Sequence, residues 1–399
     1  MSPDPVKNGL LLVGVRGAIG TTVLHGLEAL RGGQSPVGLV TETPQFSKVP
    51  WEDLLRFRVV GWDIGGDCHR AAEELGRVGV LPHDLVELFA GVRDRLNMSV
   101  APGIPEPEDA GLADRASSDR LTLSLSDAVN ALREDIRFWK QDEGFRRMVV
   151  VYLATAERKR NLPEEWNDFD ADPVKLLADA PHDLSRSILY ALAAILEGVP
   201  FVNFTPAPGA SVPAVAGLAR RLGVPVLGND GKTGETLLKT ALAPMFRDRG
   251  LNVMAWEGYN MLGNRDGAAL SDPDRKSAKL ENKSHVIHSI LDSERVHSGV
   301  SIDFVPSLHD IKTAMDFIHF EGFLGAQMQL QFTWQASDSA LAAPLVLDLS
   351  RLALLAQNRG EGGELKAAAA FFKNPLGVKD HDFHRQMDRL RAWACDATE

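Results

Sequence analysis

The sequence predicts an α/β protein in which a doubly wound parallel sheet is joined to a second, smaller domain. Over the first 230 residues, short apolar runs alternate with segments of helical periodicity. That alternation favours a parallel sheet with helices on both faces. The first apolar run leads into a glycine-rich turn and then a helix, which is the context that a dinucleotide-binding loop requires. Beyond about residue 230 the pattern changes, which indicates the second domain.

The strands of the parallel sheet are predicted from apolar runs that lack helical spacing. They are GLLLVGV (9–15), VGLVTE (37–42), MVVVYLAT (148–155), VPFVNFTP (199–206) and VPVLGN (224–229). Helices are predicted at VLHGLEALRG, SDAVNALREDIRFWK and DLSRSILYALAAILEG, the last of which ends at Gly198. The Pro-, Gly- and acid-rich stretch 100–120 is predicted to be a surface excursion.

The second domain is predicted to contain both strands and helices. Strands are expected at LNVMAWEGYNML, VSIDFVP and AQMQLQFTW. Helices are expected at TGETLLKTALAPMF and HDIKTAMDFIHFEGFL. The segment DSALAAPLVLDLSRLALLAQNRG predicts a long apolar helix that must be buried in a core or an interface.

Composition and charge exclude several classes of function. The 399 residues carry a formal net charge of −11, whereas nucleic-acid-binding proteins normally show a basic patch. Cys68 and Cys395 cannot form a disulfide framework and indicate a reducing compartment. The N-terminus MSPDPVKNG lacks the features of a signal peptide. The longest apolar run (188–196) is shorter than the roughly 20 residues of a membrane span. We therefore expect a cytoplasmic protein that binds neither nucleic acid nor membrane.

The turn GVRGAIGTT carries the residues expected to hold a dinucleotide. Only glycine lets the backbone approach a pyrophosphate without a Cβ clash, and the helix that follows supplies N–H donors at its positive end. The candidate residues are Gly14, Arg16, Gly17, Ala18, Ile19 and Gly20. A glycine-rich turn without a ligand is the alternative. The ribose contact is expected from Asp63 in GWDIGG or from Glu42 at the end of the second predicted strand.

Several lysines stand in apolar or otherwise notable segments of this acidic chain. Lys279 and Lys283 are four residues apart and would share a helix face, which suits either a bound phosphate or a solvated surface. Lys312 and Lys373 lie among apolar neighbours, where desolvation lowers the affinity of an amine for its proton and suits it to proton transfer. Asp338 opens an apolar helix, as an N-cap or as a functional carboxylate. No histidine pairs with Cys or Glu at zinc-ligand spacing, so no metal site is predicted. We expect redox chemistry on a phosphorylated substrate that carries a carbonyl group.

The sequence resembles the myo-inositol-1-phosphate synthase family over essentially its whole length. The blocks GNDGKTGETLLKT, YNMLGNRDG, KSAKLENKS, DIKTAMD, DSALAAPLVLDL and FFKNPLG occur in the order seen in that family. Weaker family signatures occur nearer the N-terminus at GWDI and LATAER.

The resemblance implies a fold, an activity and an assembly. The fold is an NAD-binding Rossmann domain over residues 1–230, completed by 345–399, with an inserted α+β catalytic and oligomerisation domain over 231–344. The activity is conversion of D-glucose 6-phosphate to 1L-myo-inositol 1-phosphate by C5 oxidation, C6 enolisation, aldol closure and re-reduction. NAD is tightly bound and recycled, and the assembly is a homotetramer.

The resemblance also implies roles for particular residues. The implied catalytic set is Lys279, Lys312, Lys373, Asp338 and Asp230. The substrate phosphate is assigned to Lys279 and Lys283. Cofactor contacts beyond Asp63 and the glycine turn are assigned to Thr155, Ala156, Asp230 and Asp266. Whether Lys373 or Lys312 is the general base stays open.

The sequence departs from the family pattern in three blocks. The family's GGNNG is RGAIG here, its NGSPQNT is NFTPAPG, and the glycine of its GDSK-type block is His309. These departures leave open the same chemistry on D-fructose 6-phosphate, giving a five-membered cyclitol phosphate of carbocyclic nucleoside pathways. A non-catalytic NAD-binding regulatory protein and a dehydrogenase with net redox turnover are further alternatives. Members of the family use divalent or monovalent cations, so a cation near Asp230 and Asp338 is a further candidate cofactor.

Overall fold

The structure is a computed structural model in which residues 7–155, 157–263, 287–291 and 296–396 are described. The strands are, in chain order, β1 (Lys7–Val13), β2 (Phe57–Asp63), β3 (Val100–Pro102), β4 (Phe145–Tyr152), β5 (Phe201–Asn203), β6 (Pro225–Leu227), β7 (Asn252–Leu262), β8 (His297–Phe304), β9 (Ile311–Glu321), β10 (Gln327–Ser337) and β11 (Gly363–Glu364). The helices include α1 (Ala18–Arg31), α2 (Cys68–Arg77), α3 (His83–Leu88), α4 (Ala90–Ser99), α5 (Arg115–Arg120), α6 (Leu125–Asp142), α7 (Pro173–Leu176), α8 (Arg186–Leu196), α9 (Pro213–Arg221), α10 (Glu235–Asp248), α11 (Asp338–Asn358) and α12 (Phe383–Cys395).

Seven strands form one parallel sheet in the order β11-β6-β5-β4-β1-β2-β3. Successive residues of a strand face opposite sides of the sheet, and both sides are covered here. Leu10 and Leu12 of β1 belong to a core shared with α1 and α11. Leu11 between them belongs to the core shared with α6, α8 and α9. This is the doubly wound α/β architecture that the sequence predicts.

The strand predicted at 37–42 is wrong. Val40–Glu42 forms a single 3₁₀ turn, and the strand beside β1 is Phe57–Asp63. The backbone N–H groups of Val40 and Thr41 donate to the carboxylate of Asp348 in α11, at 2.8 and 3.0 Å. Those donors are therefore used by a helix that follows some 300 residues later in the chain, a contact that a local pattern does not reveal.

The stretch 100–120 is only in part a surface excursion. Its first three residues form β3, which pairs with Gly61, Trp62 and Asp63 at the edge of the parallel sheet. The prediction is wrong for those residues because a three-residue edge strand carries too little periodicity to be recognised.

The other four strands form a mixed sheet in the order β10-β9-β7-β8. Strand β9 is antiparallel to both β10 and β7, while β7 and β8 are parallel. Helix α10 packs on one face of this sheet through Phe246, whose ring contacts those of Trp256 and Phe320 at centroid distances of 6.0 and 5.0 Å. On the other face, the cross-strand row Ser301, Tyr259, Met315 and Thr333 is exposed. We call this side the open face of the mixed sheet.

The helix predicted at HDIKTAMDFIHFEGFL is also wrong, because Ile311–Glu321 is the strand β9. Ala314, Asp316 and Ile318 are buried, while Met315 between them is 47% exposed. Apolar residues at Met315, Phe317 and Ile318 fit a helical period as well as a strand. Pairing with a strand on each side decides between them, as tertiary context often does for strands.

Helix α11 confirms the prediction of a long, buried apolar helix. By length and composition alone it is apolar enough to cross a membrane, but 78% of that window is buried inside the protein. It follows β10 directly and packs against α1 on the parallel sheet. One helix thus connects the mixed sheet to the half of the molecule that contains the parallel sheet.

Candidate active site

The predicted cofactor residues that the structure describes lie along the carboxyl edge of the parallel sheet. The glycine turn follows β1, Asp63 ends β2, Thr155 lies just after β4, and Asp230 follows β6. In doubly wound sheets ligands bind in the crevice outside this edge. Thr155 is exposed there.

The glycine turn has the geometry that a pyrophosphate site needs. Gly14 has a φ of +86°, and its N–H donates to the carbonyl of Trp62 in β2 at 2.8 Å. A Cβ on Gly20 would lie 2.3 Å from the carbonyl oxygen of Val15, so only glycine allows this approach of helix to turn. The N-cap of α1 is Gly17, without a side-chain cap, and the first turn carries no acidic residue. The N–H groups at this helix start are therefore suited to an anion.

Asp63 is fastened to the glycine turn through its carboxylate. It accepts hydrogen bonds from the backbone N–H of Arg16 at 2.7 Å and of Ile64 at 2.9 Å. Burial raises the pKa of Asp63, and these hydrogen bonds oppose that rise. Glu42 instead forms an ion pair with Arg351. Of the two ribose candidates, only Asp63 ends a strand of the sheet.

The side chain of Arg16 leaves the turn and bonds to Asn97 in α4. Its Nε lies 3.3 Å from Asn97 Oδ1, and its Nη2 lies 3.3 Å from the Asn97 carbonyl. Among the turn residues, Arg16 thus contributes its backbone to the Asp63 contact and its guanidinium to packing.

Asp230 and Lys373 form an ion pair on a short antiparallel ladder. The Nζ of Lys373 lies 2.7 Å from Oδ1 of Asp230, and their side chains are 13% and 7% exposed. The N–H of Lys373 donates to the Asp230 carbonyl at 2.7 Å, and that of Asn229 to the Asn374 carbonyl at 2.7 Å. Asp230 has a φ of 63°, a conformation that Asp and Asn tolerate best among residues with a side chain. The ladder brings together two predicted site residues from distant parts of the chain.

Asp338 joins the same site through the loop that carries Asp230. Thr233 Oγ1 donates to Asp338 Oδ1 at 3.2 Å. The N-cap of α11 is Ser337, whose hydroxyl accepts from the N–H of Ala340. The N-cap alternative for Asp338 is therefore wrong, because the preceding serine takes that role and leaves the carboxylate directed to Thr233.

Lys312 lies on β9, between Leu262 of β7 and Ala336 of β10. The start of this strand is fixed to the start of α11 by Asp310, which accepts a hydrogen bond from Ser339 Oγ at 2.6 Å. Burial raises the pKa of Asp310. Lys312 and Asp338 are thus attached to one corner of the mixed sheet.

His309 has a φ of 51° in the turn before β9. Positive φ is unfavourable for residues with a Cβ, which explains physically why a glycine suits this position. The chain keeps the backbone conformation with a histidine, whose side chain is exposed.

Four predicted site residues lie outside the described residues. They are Ala156, Asp266, Lys279 and Lys283. Their contacts to phosphate or cofactor stay predictions from sequence. Within the described ranges, no group of three His, Cys, Asp or Glu side chains is placed to hold a metal ion.

A buried polar cluster beneath the site escaped the sequence predictions. Lys239 Nζ lies 2.7 Å from Glu235 Oε1, and Asn260 of β7 donates to the other oxygen of Glu235 at 2.7 Å. Glu235 begins α10, so the cluster fixes the start of that helix beside the Asp230 loop. The block GNDGKTGETLLKT contained both charged residues, but helical spacing alone does not show that they are buried.

Fold and site together define a class of protein. It is a Rossmann-type α/β enzyme in which a second, mixed sheet lies beside the carboxyl edge of the parallel sheet. Comparison with known proteins narrows this class. The family described as Myo-inositol-1-phosphate synthase matches residues 234–339. Inositol-3-phosphate synthase 1 of Bacteroides thetaiotaomicron is 33% identical over 97% of this chain and 92% of its own length. The inositol-3-phosphate synthase of Dictyostelium discoideum is 30% identical over 87% of this chain and 74% of its own length.

A solved structure agrees with these sequence relatives. The crystal structure of inositol-3-phosphate synthase from Caenorhabditis elegans matches with a TM-score of 0.89 and 26% identity, covering 99% of this chain and 86% of that one. The chain therefore belongs to the myo-inositol-1-phosphate synthase family, whose members are intramolecular lyases of the isomerase class.

Proposed function

We propose that this chain converts D-glucose 6-phosphate to 1L-myo-inositol 1-phosphate and uses NAD as a tightly bound, recycled cofactor. The observation that carries the proposal is the Lys373–Asp230 ion pair of 2.7 Å. Asp230 of this pair follows β6, and the glycine turn follows β1 of the same parallel sheet. Family membership supports the choice of a cyclisation over an ordinary dehydrogenation.

The glycine turn and Asp63 fit a dinucleotide. Gly20 has no room for a Cβ and Gly14 has a positive φ, so both positions of the turn suit glycine, and the start of α1 suits the pyrophosphate charge. Asp63 suits the ribose hydroxyls. NAD, when bound, supplies reversible removal of hydride from C5 of the sugar.

The lysines supply the proton transfers. Oxidation at C5 requires loss of the hydroxyl proton, and the amine of Lys373 beside Asp230, or that of Lys312, acts as base or relay. The resulting ketone acidifies C6. Ammonium groups then stabilise the negative charge that develops on the enolate oxygen. Attack of C6 on the C1 aldehyde closes the ring, and the C5 ketone is reduced again.

Lys279 and Lys283 are proposed to hold the substrate phosphate. Anchoring this dianion keeps the acyclic sugar in place, so that C6 and C1 react within one molecule. This assignment rests on the match of KSAKLENKS to the family motif. Asp266 and Ala156 are proposed, on the same ground, as cofactor contacts.

We further propose that the chain consists of two domains with different roles. Residues 1–230 and 345–399 form the NAD-binding domain, and residues 231–344 form the catalytic and oligomerisation domain. The open face of the mixed sheet supports the assignment of this domain to a homotetramer, because Tyr259 and Met315 are exposed on it. The enzyme would work in the cytoplasm on a soluble sugar phosphate.

The test is incubation of the purified protein with catalytic NAD and either glucose 6-phosphate or fructose 6-phosphate, followed by phosphorus and carbon NMR. A six-membered cyclitol phosphate from the aldose is expected. Lys373→Met should lower the rate of product formation by about 100- to 10,000-fold. The matched control Lys175→Met, at a residue whose side chain is 85% exposed, should leave it unchanged.

Other results would redirect the proposal. A five-membered cyclitol phosphate from the ketose would keep the residue roles and change the substrate. Stoichiometric NADH would indicate an ordinary dehydrogenase. Bound NAD without any product would contradict the cyclase assignment.

A further inference from the structure

Lys232 carries a fully buried amine two residues after Asp230. The residue is 2% exposed, and its Nζ lies 2.9 Å from Oε1 of Gln386 in α12. The amine also lies 5.5 Å from the centroid of the Phe383 ring. Its polar contact is thus an amide oxygen of the last helix, not a carboxylate.

Gln386 is itself held rigidly. The residue has no exposed surface, and its Nε2 donates to the Asp380 carbonyl at 2.7 Å. Asp382 caps the start of α12 and accepts from Arg247 of α10 at 2.8 Å. The partner of Lys232 is therefore a fixed point and not a mobile surface group.

The backbone of Lys232 belongs to the ladder that carries the ion pair. Its N–H donates to the Phe371 carbonyl at 2.8 Å, while the N–H of Lys373 donates to the Asp230 carbonyl at 2.7 Å. Side chain and backbone of Lys232 thus connect α12 to the segment that presents Asp230.

The buried amine of Lys232 lowers the stability of the fold, so stability does not explain why it is there. Burial lowers the pKa of Lys232 to about 7, which shows that the surroundings disfavour its charge. Replacing buried charged groups by apolar groups of similar volume is often neutral or stabilising. Apolar side chains at both Lys232 and Gln386 would avoid this cost, so the amine calls for a role beyond packing.

We propose that Lys232 is a positioning residue, whose bond to Gln386 holds the Asp230–Lys373 pair in its reactive geometry. The inference rests on the proposed function, since it assigns that pair to catalysis. Misplacement of a reacting group by about 1 Å typically costs about 100-fold in rate.

The test compares Lys232→Met, Gln386→Leu and the double variant with the wild-type enzyme. Each single variant leaves a buried polar group without its partner, whereas the double variant removes both groups. We expect the single variants to lower kcat by about 10- to 100-fold with little change in KM. The double variant should regain stability, because no buried polar group is left without a partner, but it should not regain kcat, because the positioning bond is absent from it as well. Recovery of kcat in the double variant would contradict the positioning role. Leu132→Ala, a core truncation in α6, serves as the control for general loss of stability and should leave kcat unchanged.

Hydrogen exchange of the intact enzyme gives a readout that is independent of turnover. In Lys232→Met the amides of Asn229, Lys232 and Lys373 should exchange faster, while those of β1 should not. If the wild type makes no cyclitol phosphate, the proposed function fails, yet exchange still tests the positioning. Unchanged kcat and unchanged ladder exchange in Lys232→Met would overturn the inference. A loss of kcat that the Leu132→Ala control shares would overturn it as well.

Discussion

At the scale of single residues, the Asp230–Lys373 pair combines a structural and a chemical demand. Both side chains are mostly buried and lie 2.7 Å apart. Removing one partner of such a pair leaves a charge that the protein has desolvated and no longer compensates. The backbone of Asp230 also limits the choice of replacement, since a φ of 63° suits Asn far better than Ala.

We therefore expect Asp230→Asn and Lys373→Met each to destabilise the fold and to lower turnover by about 100- to 10,000-fold, the range for loss of an acid–base group. In urea unfolding, the double variant should lose less free energy of unfolding than the two single variants lose together. We expect this difference, the coupling energy, to be roughly 1–3 kcal/mol. Strict additivity would show that the two side chains do not interact in solution.

The buried amine of Lys232 should make the free energy of unfolding depend on pH. Burial lowers its pKa from 10.5 to about 7, so between these values the unfolded chain binds more protons than the folded one. Stability must rise with pH in that window. Relative to Lys232→Met, the wild type should gain about 3–5 kcal/mol of unfolding free energy from pH 7 to pH 10, at ~1.4 kcal/mol per unit. Parallel pH curves for both proteins, measured by urea unfolding, would contradict the buried-amine assignment.

Some of these residues are predictable from sequence and some are not. Asp230, Lys373 and Asp338 follow from motifs that match a family. The bonds of Lys232 to Gln386 and of Thr233 to Asp338 join residues 154 and 105 positions apart. No local period encodes such pairs, because they exist only once α11 and α12 have packed beside the loop that follows β6.

At the scale of elements, the first turn and helix depend on a single close approach. A Cβ on Gly20 would meet the carbonyl oxygen of Val15 at 2.3 Å, whereas a Cβ on Gly26 in the same helix has nothing within 4 Å. The two glycines therefore form a matched pair for substitution.

Gly20→Ala should displace the start of α1 and weaken the retention of NAD, measured as cofactor remaining after desalting. Gly26→Ala should keep the cofactor and stabilise the helix by about 1 kcal/mol, because alanine is the better helix former. Equal NAD retention by both variants would show that the turn geometry is not what holds the dinucleotide.

The elements also show where local patterns fail. Strands β1, β4, β5 and β6 follow from continuous apolar runs, because parallel strands are covered on both faces. Strand β9 was expected to be a helix, since its apolar positions satisfy both periods and only its neighbours β7 and β10 decide. The turn Val40–Glu42 has a strand-like composition, but the carboxylate of Asp348 takes its backbone donors.

At the scale of the whole molecule, the mixed sheet presents its open face to the outside. The exposed row contains Tyr259 and Met315, which are 40% and 47% exposed. Two adjacent large side chains exposed on a sheet face form a candidate interface. The proposed homotetramer would cover them.

Met315→Glu should therefore shift the assembly towards smaller species in light scattering coupled to size-exclusion chromatography. The control Leu88→Glu, at a residue of α3 that is 71% exposed, should leave the mass unchanged. A tetramer that persists in Met315→Glu would place the interface elsewhere.

The joining of distant segments in one sheet has a consequence for how the protein is made. Asp230 and Lys373 are 143 residues apart, and the core beside α1 is filled by α11. Ribosomes add about 5–20 residues per second, so roughly 7 to 30 s pass between synthesis of the two members of the pair. During that interval the nascent chain holds six of the seven strands, and the apolar surface that α11 covers is left exposed. Chaperone binding should therefore be concentrated on nascent chains in which β6 has emerged from the ribosome but α11 has not. The cofactor site should be completed only late in synthesis.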